Sequence, residues 1–186
     1  MSDHFNAAFK FVLAIEKTVY TNHPLDSGGP TRYGVTLRAY ASFVGRVVMP
    51  DDIKNLTIEE ARRFYLERYW KPLGCTRVTE RRIALCLFDS GVLYGVGTTG
   101  VLAQEALLAC GLPVKIDGVI GDESLRALNL VKPDDFILHL HQLLLRRIDF
   151  VVSLHVKNET FRKGWINRAN RLLTLAGSGP LNGKDT

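Results

Sequence analysis

"AIEKTVYTNHPLDSGGPTRYGVT", from Ala14 to Thr36, sets a glutamate at the end of an apolar run, then an aspartate inside a Gly/Pro turn, then a threonine. Upstream of it, apolar side chains recur at Phe5, Ala8, Phe9, Val12 and Ile15, the spacing of one helix face. Phe11 and Leu13 widen that face, so a nearly buried helix is expected over residues 5 to 16. Residues 20 to 36 hold two prolines, three glycines, Asn22, Asp26 and Ser27, which is turn chemistry with room for a short hairpin. Glu16 therefore stands where a buried helix gives way to a turn-rich loop.

That position has a chemical use. Glycosidic cleavage needs a carboxylic acid that protonates the leaving oxygen, in a partly desolvated setting that keeps the proton on it. Glu16, at the end of "FKFVLAI", fits such a general acid. Asp26 could serve as the second carboxylate, activating water or stabilising positive charge. Thr31 could position a water through its hydroxyl. Gly28, Gly29 and Gly34 let backbone approach a sugar ring. The plainer alternative is a solvated glutamate at a helix end and an Asp that bonds its own turn. Spacing by itself leaves both open.

Further on, "LTIEEARRFYLERYW" carries Thr57 and Glu60 as a capping box, with Pro72 and Gly74 as its stop, while Met49 to Asp52 reads as a break. "TERRIALCLFDSGVLYG" is strongly apolar, with Thr79 as its cap and Ile83 to Leu87 as the central buried stretch. "TTGVLAQEALLACGL" ends at Gly111, "DGVIGDESLRALN" is a turn and a short helix capped by Asp122, and Pro133 and Asp134 open a long helix. "ETFRKGWINRANRLLTLA" is the last helix, and a frayed tail is expected beyond it. The fold class expected is mainly α, with seven or eight helices and little sheet.

The 186 residues suit one domain, or one with an appendage, and need no disulfide or metal to fold. Cys75, Cys86 and Cys110 lack CxxC spacing and read as free buried thiols. His139 and His141 lie two apart, on different helix faces, with no cysteine or carboxylate cluster to complete a metal site, so neither metal nor cofactor is expected. Asp89, among apolar neighbours, must be paired or hydrogen-bonded. Net charge is +5, and Arg146, Arg147, Arg162, Lys163, Arg168 and Arg171 make the C-terminal helices basic. That favours an anionic wall or membrane surface as partner. Nucleic acid is not expected, for no recognition motif is present. Tyr69 and Trp70, like Tyr33, are candidates to stack on sugar faces, with core packing as the ordinary alternative.

The stretch "FNAAFKFVLAIE…NHPLDSGGPTRYGVT" resembles the start of glycoside hydrolase family 108, the lysozyme-like N-acetylmuramidases of phages and bacteria. Asn22, Pro24, Asp26, Gly28, Gly29, Thr31, Gly34 and Thr36 match its Asn-x-Pro-x-Asp-x-Gly-Gly-x-Thr-x-x-Gly-Ile-Thr motif, with Val35 for the Ile. "ERYWKPL" and "LFDSGVLYG" resemble its central segments. "DGVIGDESLRALN" and "FRKGWINRANRL" resemble the predicted peptidoglycan-binding part that follows. The resemblance implies a lysozyme-like helical domain over residues 5–98, a helical peptidoglycan-binding region over 99–176 packed on it, and a tail from 177 to 186.

It further implies hydrolysis of the β-1,4 bond from N-acetylmuramic acid to N-acetylglucosamine. Glu16, Asp26 and Thr31 would be the catalytic residues, and Tyr33, Gly34, Tyr69 and Trp70 would line the glycan. The family's catalytic Glu precedes Gly-Gly. Counting forward from Phe5 puts it at Glu16, and counting back from Asn22 puts it at Lys17, so one residue is inserted after Glu16 and the glycines are replaced within "KTVY". Two readings stay open: a working muramidase, or a protein that grips peptidoglycan and cuts it poorly. No signal peptide or membrane span is expected. A monomeric endolysin made in the cytoplasm and released through a holin-type pore is the setting this predicts.

Overall fold

A computed structural model describes residues 3–16, 18–22, 29–154 and 158–177. Lys17, Asp26, Gly28 and the tail from 178 lie outside the described residues. The chain divides into two compact units, Met1–Pro72 and Leu73–Thr186.

The first unit opens with α1 (Asp3–Ile15), whose Phe5, Ala8, Phe9 and Val12 are buried as the spacing predicts. A two-stranded hairpin follows, β1 (Thr31–Arg32) and β2 (Val35–Thr36). Then come α2 (Leu37–Val44), α3 (Pro50–Lys54) and α4 (Ile58–Tyr65). The Thr57–Glu60 capping box opens α4 as expected. Met49 to Asp52 is not a break but a helix start. Pro50 takes the first helical turn, where its missing N–H costs nothing, and the Asp52 carboxylate accepts the Met49 N–H at 2.7 Å.

From Leu66 to Trp70 the chain continues as a π-helix, with the Lys71 N–H reaching back to the Leu66 carbonyl at 3.0 Å. The extra residue per turn re-aims the aromatic run. Trp70 then meets Phe5 edge to face at 5.3 Å, while Tyr65 meets Phe9 at 5.7 Å and Tyr69 lies 5.9 Å from both Phe64 and Tyr65. Such pairs contribute about 0.5–1.5 kcal/mol each beyond their buried area, so aromatic packing is a main hold on this unit.

The second unit comprises α5 (Arg81–Tyr94), α6 (Val96–Ala109), α7 (Asp122–Leu130), α8 (Pro133–Leu154) and α9 (Glu159–Gly177). Nine α-helices thus stand among the described residues, where the sequence predicts seven or eight. α5 is central, buried from Ile83 through Gly91. Glu80, not Thr79, caps it. The Glu80 side chain accepts the Arg82 N–H, and Thr79 is occupied by the Asn129 amide oxygen at 2.9 Å. Asp122 is likewise the first helical residue rather than the cap, which is Gly121. Cys75 and Cys86 are buried free thiols, and burial pushes Cys75 well up and Cys86 to about 12. Cys110 is only half-buried, because it closes the exposed end of α6.

The loop before α7 is fastened to α6 at two points. Buried Gln104 accepts the Asp117 and Gly118 N–H groups at 3.0 and 2.8 Å, and its amide donates to the Asp117 carboxylate, the Val119 carbonyl and the Ser124 hydroxyl. One turn earlier the loop backbone lies on Gly100, where an added Cβ would sit 2.1 Å from the Gly118 carbonyl oxygen. Gly100→Ala should therefore force the loop off the helix and lower stability by about 1–3 kcal/mol, the usual cost of overpacking. Chemical denaturation measures this, and an unchanged midpoint would mean the close approach is not required.

Candidate active site

Glu16 follows directly on the last residue of α1, and its N–H still bonds the Val12 carbonyl at 2.9 Å. The side chain is half-buried. What covers it is the hairpin. Thr31 pairs with Thr36 and Arg32 with Val35, which leaves Tyr33 and Gly34 as a two-residue tip. Their φ values are +54° and +73°, both left-handed, as a tip matched to the twist of the strands requires.

Tyr33 is the one non-glycine with positive φ among the described residues, a conformation costing about 1–2 kcal/mol. Two contacts hold it there. The Tyr65 hydroxyl donates to its carbonyl at 2.9 Å, and the Arg32 guanidinium lies 5.1 Å from its ring centre. Gly34 is pressed flat onto the glutamate. A Cβ at that position would lie 2.5 Å from the Tyr65 hydroxyl and 3.0 Å from Glu16 Cγ. Gly34→Ala combines that collision with a strained φ, so a loss of about 1–3 kcal/mol is expected, read as a lower melting temperature. A variant as stable as the wild type would show that the hairpin tip can lift away.

Tyr69, packed against Tyr65 at 5.9 Å, feels the Glu16 charge. Burial raises its phenol above the usual range, the Arg68 cation opposes that, and the Glu16 charge adds to it. Thr31 is tied by its backbone to Thr21, at 2.8 and 2.9 Å, and its hydroxyl donates to the Gly29 carbonyl at 2.9 Å. That leaves the hydroxyl oxygen as an acceptor for a water or substrate. Trp70 is 1% exposed with its ring in the aromatic core, so it packs the unit and offers no face to a sugar. Its neighbour Tyr65, absent from the sequence reading, is a site residue through its hydroxyl. "RRFYLERYW" shows an aromatic at that position, but only the folded hairpin brings the Tyr33 carbonyl to it.

The arrangement is thus a glutamate at a helix end, clamped by a glycine-tipped hairpin and flanked by tyrosines. Residues 9–95, which contain all of it, match the family model described as Glycosyl hydrolase 108. That match spans just under half of the chain. Residues 99–170 match a second model, described as a predicted peptidoglycan domain. Among solved structures, the chain is similar to SagA of Brucella abortus, with a TM-score of 0.78 and 28% identity over 92% of each chain. No curated protein matches.

The mainly α, lysozyme-like fold with a short hairpin after the first helix is therefore the one found. The glycosyl hydrolase 108 match ends at Gly95, the α5–α6 junction, whereas the compact units part at Pro72. By sequence α5 belongs with the glycosyl hydrolase 108 region, and by packing it belongs with α6, α8 and α9. Together the two matches relate the protein to the peptidoglycan cell wall. No helix among the described residues is long and apolar enough to cross a membrane.

Proposed function

We propose that the chain is an N-acetylmuramidase. It would hydrolyse the β-1,4 bond between N-acetylmuramic acid and N-acetylglucosamine, with Glu16 donating its proton to the leaving oxygen. The observation that carries this is the half-buried Glu16 clamped at the end of α1 by Gly34, inside a glycosyl hydrolase 108 region. Asp26 is assigned to the water or the developing positive charge, and Thr31 to positioning that water through its free acceptor. Tyr33, Gly34 and Tyr69 line the glycan. Residues 99–170 supply wall binding, with the basic C-terminal helices adding attraction to anionic polymer. Release of the protein to the wall as an endolysin is the setting proposed.

Reducing ends released from purified peptidoglycan test the activity. A second reading is favoured by one feature: Thr18 and the 73%-exposed Val19 follow Glu16 and Lys17, where the family motif has glycines. On that reading the protein sediments with peptidoglycan yet releases no reducing ends.

A further inference from the structure

The first unit carries a second recess. A cleft of about 620 Å³ lies between α2 and α4, lined by Tyr40, Phe43 and Val44 on one wall and Glu60, Arg63 and Glu67 on the other. That volume is in the range of small-ligand sites, about 300–1,000 Å³. The two walls differ in chemistry. Glu60, Arg63 and Glu67 follow one another at three- and four-residue spacing along one helical stripe, which gives an ordered series of negative, positive, negative. Glu60 is braced by the Thr57 N–H at 2.8 Å, and Glu67 pairs with Lys71. Arg63 is exposed, and among the described residues no carboxylate is bonded to it. A run of rings leads from the recess toward the candidate active site: Phe43 meets Phe64 at 5.4 Å, and Phe64 meets Tyr69 at 5.9 Å.

A bare glycan makes poor use of such a wall. Sugars offer faces for stacking, but Tyr40 and Phe43 are engaged with one another at 6.2 Å and Phe43 with Phe64. Alternating charges opposite an apolar wall instead suit a short peptide with free carboxylates, a free amine and small apolar side chains. A guanidinium with an open fork binds a carboxylate in two-point fashion. In peptidoglycan the group of that chemistry is the stem peptide. We infer that the α2–α4 cleft is a stem-peptide subsite, with Arg63 taking a stem carboxylate and the Glu60–Glu67 pair the free amine. This rests on the reading that the chain acts on peptidoglycan.

The test is calorimetric titration of the full chain with a soluble stem tetrapeptide, with its D-residues and γ-linkage intact. An all-L, α-linked peptide of the same composition and a chitin oligosaccharide serve as companion ligands. Arg63→Glu should weaken stem binding about tenfold or more, the loss expected for a charged hydrogen bond, and leave the oligosaccharide unaffected. Glu67→Gln reads the amine contact of the same subsite, with weaker stem binding expected, should Arg63→Glu fail to fold. No stem binding by the wild type, equal binding by both variants, or equal binding of the all-L peptide would overturn the subsite. The titration needs no turnover. Missing stem binding beside normal reducing-end release sinks the subsite alone, and stem binding without reducing ends sinks the hydrolase reading alone.

Discussion

A Glu16→Gln variant should keep its fold and release reducing ends from peptidoglycan about 10²–10⁴-fold more slowly than the wild type, the range for loss of one general acid. The substitution is nearly isosteric, so the contact with Gly34 and the bond from the Glu16 N–H to Val12 persist. What is lost is the transferable proton. The wild-type side chain sits against the hairpin tip at Gly34, and the substitution leaves that packing in place. Sedimentation with peptidoglycan should be unchanged, because the predicted peptidoglycan domain lies at residues 99–170. A folded variant with full activity would remove Glu16 from the mechanism.

The largest expected effect on stability lies in the second unit. Arg168→Leu should destabilise it by about 3–5 kcal/mol, the cost of leaving a buried charge without its partner. Asp89 is 1% exposed in the middle of α5, and the Arg168 guanidinium from α9 reaches both its oxygens, at 2.8, 3.1 and 3.1 Å. Within the second unit the pair ties α5, the last helix of the glycosyl hydrolase 108 match, to α9 of the predicted peptidoglycan domain. Replacing both partners, as Asp89→Leu with Arg168→Met, should recover most of the loss, since two apolar groups of similar size leave nothing unsatisfied. Denaturant titration of the wild type and the two variants measures this. If the single variant is as stable as the double, the ion pair is not the hold described here.

Local signals explain what is legible in the sequence. The apolar spacing of α1 and the Thr57–Glu60 box are decided within one or two turns, and each is found where its residues place it. The need of Asp89 for a partner follows from its apolar neighbours, yet the identity of that partner does not, because Arg168 lies 79 positions away and reads as one more surface cation. Trp70, a sugar-stacking candidate by sequence, packs the core instead, while Tyr65, for which the sequence gives no such role, reaches the hairpin tip. The π-helix over Leu66–Trp70 sets which ring turns inward, and nothing in "LERYW" announces the shift from an ordinary helical turn. Thr79 reads as a cap by type, but Asn129 claims it across 50 residues.

The central claim is the bond that is cut. Mass analysis of the fragments released from purified peptidoglycan by the wild-type protein tests it most directly. Soluble muropeptides ending in reducing N-acetylmuramic acid are expected. Anhydro-muramic ends, N-acetylglucosamine reducing ends or cleaved stem peptides would contradict it.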